Sequence, residues 1–343
     1  MRAEPDAVAS GDVGFGAALL AVEARVVVGG SGSVVVFDST LSSPLVLESP
    51  DDEVTFGASF GRYGKRVAVG GTGVDDSAPV WLYDASGSLK TEVYTSVEHD
   101  HFGYAIASGD LDDDGERDLA VTAPTDGTRN QGSVWLAHGP LTAGNIYDDG
   151  RVYGYRTDGE FGSSLRIADL NTDGLDELIV GEPFPTDPSA PATVWVHPDV
   201  PRGFASSVDV AAERTLTNGV GFGRLLAVGD MNGDGRRDLA VAGEDRVWVY
   251  LVDGDDAQAT LHVEADSMIC ADLAGDGVCT LVVGNSEGVA VYSSFQGGAE
   301  PTVVEGPYSF GAALAVGDLN EDGVDEVVVG APEVGKVFLF SAK

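Results

Sequence analysis

Asp110-Leu-Asp112-Asp-Asp114-Gly115-Glu116-Arg-Asp118, Asp169-Leu-Asn171-Thr-Asp173-Gly174-Leu175-Asp-Glu177, Asp230-Met-Asn232-Gly-Asp234-Gly235-Arg236-Arg-Asp238 and Asp318-Leu-Asn320-Glu-Asp322-Gly323-Val324-Asp-Glu326 are one nine-residue pattern written four times. Acids or amides stand at positions one, three, five and nine, and glycine at six. Oxygen ligands on alternate residues followed by a sharp glycine turn are what a calcium ion requires of a short loop. Each copy begins eight residues after a Phe-Gly pair, at Phe102, Phe161, Phe222 and Phe310.

The pattern is not an EF-hand. That loop closes with a bidentate glutamate at position twelve, where this chain has Val121, Val180, Val241 and Val329. The closing carboxylate falls at position nine instead: Asp118, Glu177, Asp238 and Glu326. Side-chain oxygens are expected from Asp110, Asp112, Asp114, Asp169, Asn171, Asp173, Asp230, Asn232, Asp234, Asp318, Asn320 and Asp322. Position seven holds Glu116, Leu175, Arg236 and Val324, which share no side-chain chemistry, so a backbone carbonyl is expected there. Asp-Gly is also a common turn signal, so one copy alone could be an acidic hairpin. Four in register, with acids that would repel one another without a cation, point to four calcium sites that pin the fold.

Working outward, further Phe-Gly pairs open at Phe15 and Phe56. Successive gaps from Phe15 are 41, 46, 59, 61 and 88 residues, and the last is twice 44. A seventh unit is therefore expected between Phe222 and Phe310. There, Asp272-Leu-Ala274-Gly-Asp276-Gly277 is a worn loop that has lost its acids at positions three and nine, to Ala274 and Thr280. Glu264-Ala265 stands where Phe-Gly belongs, and this loop is expected to hold no ion. Cys270 and Cys279 flank it, either as a disulfide stapling the hairpin or as two buried thiols; they fit no zinc spacing.

A second register gives the same count. Each unit has a short strand opening with valine: Val34, Val80, Val134, Val194, Val247, Val289 and Val337. Tryptophan follows in four, at Trp81, Trp135, Trp195 and Trp248, and that register reads as packing rather than sugar stacking. With a strand after each Phe-Gly, a β-branched strand after each loop, and a weaker outer strand such as Leu261–Glu264, every unit has four. Four strands per forty to sixty residues, without a helical period, predict an all-β, seven-bladed β-propeller. Its blades start near residues 15, 56, 102, 161, 222, 264 and 310, in one domain spanning 1–343. The last unit ends after its third strand, so residues 5–10 are expected to complete blade seven.

Phe-Gly, an acidic loop, then an apolar strand ending in Gly330-Ala-Pro332 resembles the FG-GAP repeat of integrin α-subunit propellers; Ala123-Pro124 and Gly181-Glu-Pro183 match in part. The resemblance covers essentially the whole chain. It implies that the loops bind calcium between the first and second strands, with Asp110, Asp169, Asp230 and Asp318 as first ligands. Units one and two depart from it, with the short turns Val22–Arg25 and Gly61–Lys65. A bare, very acidic propeller is more like the FG-GAP proteins of microbes than like an adhesion receptor with legs and a membrane anchor.

The net charge is −37, and four calcium ions would add 8, leaving −29. Such a surface repels nucleic acid and anionic lipid. Hydrophobic residues make up 43% of the chain, enough to fold, yet no apolar run spans a membrane and no signal peptide is visible. No hydrolase elbow, zinc-protease helix or phosphate loop is present. The function expected is therefore binding without catalysis. The chain reads as a monomeric, extracytoplasmic, protein-binding or adhesion module, with a glycan-binding lectin or a non-catalytic domain of a secreted enzyme as alternatives. Its ligand patch is expected on the face opposite the calcium loops, using Asp75, Asp76, His99, His101, Asp126, Arg129, Asn130, Phe184 and Asp187.

Overall fold

A computed structural model of the chain describes residues 4–30, 32–50, 55–72, 79–84, 86–94, 101–142, 144–145, 150–154, 156–185, 190–198, 200, 214–251, 254, 256–285, 288–293 and 300–342. They form seven sheets whose four blade strands are antiparallel. Within each blade the strands run A to D from the centre outward. Blade 3, for example, is Ile106–Gly109, Asp118–Ala123, Ser133–Ala137 and Arg151–Tyr153. Successive A strands lie side by side around the axis, and Ala313–Gly317 of blade 7 meets Ala18–Val22 of blade 1. The ring is thus closed. Among the described residues the only helical element is the 3-10 turn Pro332–Val334.

Closure uses both ends of the chain. Ala7–Ser10 pairs with Lys336–Phe340, with Val8 opposite Phe338, as the outer strand of blade 7. The Asp6 carboxylate also accepts from the Ser341 amide at 2.6 Å. An edge that would otherwise be open is thereby paired.

The core is not central; it lies between blades. Seven apolar clusters are each shared by two neighbouring blades. Six contain the phenylalanine of a Phe-Gly pair, and the seventh contains Ala265 of the Glu264-Ala265 pair that stands there instead. Phe56, Phe102, Phe222 and Phe310 meet the strand C aromatic edge-on, at 5.4, 6.4, 5.3 and 5.3 Å from Trp81, Trp135, Trp248 and Phe338. All seven valines of the second register are fully buried. Trp195 is the exception among the tryptophans: it is half-buried, and its indole N–H donates to the buried Glu182 carboxylate at 2.9 Å.

The glycine of each pair has a separate task. Gly16, Gly57, Gly103, Gly162, Gly223 and Gly311 have φ between 84° and 98°, a region L side chains rarely enter. This turn lays the glycine carbonyl against strand B of the preceding blade, where a Cβ on Gly29, Gly181, Gly284 or Gly330 would collide with it. The apolar strands therefore run up to a glycine. In even-numbered blades Ser59, Ser164 and Ser267 donate to the next blade's glycine carbonyl at 2.5–2.6 Å.

Two details differ from the sequence reading. Strand D of blade 5 is Ala259–Leu261, which starts before the expected Leu261–Glu264 and overlaps it only at Leu261. Blade 2 has a fifth strand: Gly144–Asn145, from the long C–D connection of blade 3, pairs parallel to Leu89–Tyr94. The crossing is anchored by Leu141, whose amide donates to the Tyr63 hydroxyl at 3.0 Å and whose carbonyl accepts from Arg66 at 3.0 Å. Cys270 and Cys279 form a disulfide across the A–B hairpin of blade 6, with Cα atoms 5.5 Å apart.

If the aromatic wedge holds blades together, Phe222→Ala should lower unfolding free energy by about 3–5 kcal/mol, the usual range for a buried phenylalanine. Urea unfolding followed by tryptophan fluorescence reads this directly. A loss below about 1 kcal/mol would remove the wedge from the account.

Candidate metal centre

The four acidic loops lie on one rim, each between strands A and B, and fold through hydrogen bonds of their own. The position-one aspartate caps the turn. Its Oδ2 accepts from the position-six glycine amide in every loop: Gly115 at 3.0, Gly174 at 3.1, Gly235 at 2.7 and Gly323 at 2.8 Å. The position-five aspartate accepts from the position-seven amide: Glu116 at 2.8, Leu175 at 2.9, Arg236 at 2.9 and Val324 at 3.0 Å. Position four is left-handed throughout, at Asp113, Thr172, Gly233 and Glu321, and so is the glycine at six. Two left-handed residues curl the loop tightly back on itself.

Position nine begins strand B and is buried. Asp118, Glu177, Asp238 and Glu326 are at most 3% exposed. Each reaches back to the amide of position two: Leu111, Leu170, Met231 and Leu319, at 2.8, 2.7, 2.9 and 2.9 Å. Those position-two side chains are themselves buried in the inter-blade clusters. The hydrophobic residue at position two thus plugs the loop into the core and delivers the carboxylate under it. One oxygen each from Asp110, Asp112 and Asp118 lies within 4.8 Å of the other two, an arrangement that could hold a metal ion. In the other three loops an asparagine stands at position three, and Asn320 donates to Glu326 at 2.8 Å.

Electrostatics agree with that chemistry. Burial pushes the Asp118 and Glu326 carboxyls up and takes Glu177 to about 7, with Asp173 and Asp169 adding repulsion at Glu177. Acids held together away from water resist ionisation unless a cation joins them. Each carboxylate oxygen that accepts one N–H keeps a second lone pair, so the donor set fits a hard divalent ion.

The worn loop of blade 6 serves as an internal control. Asp272 accepts from the amides of Gly275 and Gly277 at 2.7 and 2.8 Å, and Asp276 from Val278 at 3.0 Å. The turn therefore forms with acids at positions one and five only, in a hairpin that the Cys270–Cys279 disulfide closes. Oxygen ligands at three and nine are surplus to making it.

Sequence reading missed the links between loops. In blades 4 and 7 position eight is aspartate. The Asp176 and Asp325 amides donate to the position-one carbonyls of the preceding blades, Asp110 and Asp272, at 3.2 and 2.9 Å. Their carboxylates accept from the amides of the same residues at 3.0 and 2.8 Å. The signal was the pair Asp-Glu at positions eight and nine, present only in those two loops. In blade 6 the Cys279 amide donates to the Asp230 carbonyl at 2.6 Å, so the disulfide occupies the corresponding place.

The face opposite the loops is less uniform than expected. Asp75, Asp76, His99 and Asp187 lie outside the described residues. Asp126 does not belong to an exposed patch: it is buried, ion-paired with Arg151 and accepts from Ser133 at 2.6 Å. Arg151 in turn is sandwiched between Trp135 and Tyr153, at 4.1 and 4.0 Å. Asp126 is thus spent on packing. His101 Nδ1 is 2.7 Å from Thr125 Oγ1, and Asn130 donates to Asp158 at 2.9 Å. Arg129 and Phe184 are exposed.

Replacing Asp176 by alanine leaves the Asp110 amide without its carboxylate acceptor. The expected loss is about 1.5–3 kcal/mol, the range for a hydrogen bond to a charged group. Urea unfolding of Asp176→Ala and of the matching Asp325→Ala variant measures it, and two unchanged midpoints would contradict the link.

The FG-GAP repeat family matches residues 102–136, 222–250 and 310–340. Phosphatidylinositol-glycan-specific phospholipase D of Mus musculus is 32% identical over 160 residues, 43% of this chain and 19% of that protein. Integrin alpha-PS2 of Drosophila melanogaster is 27% identical over 270 residues, 74% of this chain and 17% of that protein. The chain thus spans less than a fifth of either relative. A chain in the crystal structure of the mitotic checkpoint complex superposes with a TM-score of 0.67 at 14% identity, over 99% of this chain and 94% of that one, a likeness of fold alone. The chain is thus a β-propeller that carries FG-GAP repeats and is similar to integrin α chains and to phosphatidylinositol-glycan-specific phospholipase D.

Proposed function

We propose that the chain is a calcium-stabilised, extracytoplasmic binding module that presents protein-recognition loops on a rigid ring and carries out no catalysis itself. The observation that carries the calcium reading is the contrast between loops. Blade 6 makes the same turn without oxygen ligands at positions three and nine, while four other loops supply them and bury the ninth. Asp110, Asp112, Asp114 and Asp118 with the Glu116 carbonyl would hold the ion in blade 3, and the matching residues would do so in blades 4, 5 and 7. The ion would supply charge neutralisation and cross-link positions one and nine, fixing the A–B hairpin.

An extracytoplasmic setting is supported by the Cys270–Cys279 disulfide, because such bonds persist in oxidising compartments, and by the likeness to integrin α chains. No helix of the described residues is long and apolar enough to cross a membrane. The binding role rests on the same likeness and on exposed loop residues such as Arg129 and Phe184 opposite the metal rim. The match to phosphatidylinositol-glycan-specific phospholipase D favours a second reading, a non-catalytic propeller within a larger secreted enzyme.

Calcium should raise the melting temperature and a chelator should lower it. Each independent site contributes about 2.7 kcal/mol at a hundredfold excess over Kd, so four give on the order of 10 kcal/mol. Calorimetric melting in calcium and in EGTA tests this; coincident melting curves would overturn the calcium reading. The binding role is tested separately, by pull-down from solubilised cell-surface proteins with calcium-loaded protein and a Phe184→Ala, Arg129→Ala variant. Capture retained in full by that variant would remove the loop patch.

A further inference from the structure

Nineteen basic residues stand against fifty-six acids in this chain, so a basic group with no acid beside it is unusual here. Three such groups gather on the axis of the ring. A cavity of ≈ 360 Å³ is walled by the A strands of blades 1, 2, 3, 4, 6 and 7. Its wall is mostly apolar, including Leu20, Phe60, Ile106, Ile167, Ile269 and Leu314. Arg62, Arg117 and Arg166 join it from three consecutive blades.

Each guanidinium is oriented by a main-chain carbonyl. Arg62 Nε donates to Gly64 at 2.9 Å, Arg117 Nη1 to Ser108 at 3.3 Å and Arg166 Nη1 to Leu165 at 2.8 Å. Among the described residues none of the three is ion-paired. A guanidinium has five donors, so each keeps most of them for a ligand. Arg166 is the clearest case. It is open to water in the cavity but surrounded by protein, and this desolvation holds it below the ordinary arginine value with no carboxylate to offset it.

We propose that the axial cavity binds a small amphiphilic anion, a carboxylate on a short apolar tail. The carboxylate is held by Arg62, Arg117 and Arg166, and the tail lies along the aliphatic wall. Planar guanidinium forks match carboxylate geometry. The volume falls within the usual range for small-molecule pockets, which are apolar with few polar anchors. The site uses the inner strands together with Arg117, which stands at position eight of the blade 3 loop next to Asp118, and it is separate from the other metal loops and from the loop patch.

Titration calorimetry of the calcium-loaded protein with sodium octanoate tests this, with octanamide and inorganic phosphate as the other arms. One equivalent of octanoate should bind saturably. Arg166→Gln should weaken it at least about tenfold, and Arg62→Gln and Arg117→Gln should each weaken it measurably. Octanamide and phosphate should show no saturable heat. Melting temperature in calcium verifies that each variant is folded, and Arg62→Gln and Arg117→Gln remain decisive if Arg166→Gln is not. Three results would each overturn the proposal: no octanoate binding up to about 10 mM, undiminished binding to folded arginine variants, or binding of phosphate or octanamide as tight as that of octanoate.

Discussion

Everything in this fold depends on how one blade meets the next. Strands within a blade supply hydrogen bonds, but the apolar burial lies in the seven clusters between blades. A Phe-Gly pair makes that contact in two ways. The phenylalanine fills the gap between blades, and the glycine, at positive φ, turns its carbonyl onto a glycine in the preceding strand B. Close approach of two backbones requires the absence of Cβ on both sides. This explains why strand B runs up to glycine in blades 1, 4, 6 and 7, and why the rim loops emerge at a fixed place. The position-two leucine or methionine of each metal loop enters the same clusters, so loop geometry is set by inter-blade packing before any ion arrives.

Much of this was legible in the sequence because the repeat is internal. The spacing of Phe-Gly pairs gave the blade count, including blade 6, where Ala265 of the substituted Glu264-Ala265 pair is fully buried. The N-terminal strand followed from a missing fourth strand in the last unit. What escaped reading was pairwise and non-local. The parallel strand Gly144–Asn145 has no pattern of its own and is defined only by the edge it covers. Asp126 looked like a loop acid because nothing local reveals that Arg151 would reach it between two aromatic rings. The carboxylates of Asp176 and Asp325 differ by one residue from their loops' ligands, yet they serve the neighbouring blade. Trp195 shares its register with three core tryptophans but turns its indole N–H to Glu182, a residue that replaces the alanine of the Gly-Ala-Pro ending.

Blade 6 shows two solutions to one problem. An A–B hairpin that projects from the rim must be held closed. Four blades place acids around a loop, and blade 6 closes nearly the same hairpin with a disulfide between residues nine apart. Cross-linking a loop of that size contributes about 2.5–3 kcal/mol in the chain-entropy picture, close to what one well-filled cation site contributes. Blades 1 and 2 need neither, since their A–B turns are two residues long. On their C–D turns Asp38 accepts from the hydroxyls and amides of Thr40 and Ser42, while Asp84 pairs with the Lys90 ammonium at 2.7 Å and accepts from Ser86 and from the Ser88 amide; these partners hold both carboxyls well below the usual range.

Ion positions test the central claim most directly. Crystals grown in calcium, with anomalous scattering recorded for the ion, should show one peak in each of the loops beginning at Asp110, Asp169, Asp230 and Asp318. They should show none in the disulfide-closed loop at Asp272. Four empty acidic loops, or an ion at Asp272 as strong as the others, would contradict the division of labour between cation and disulfide.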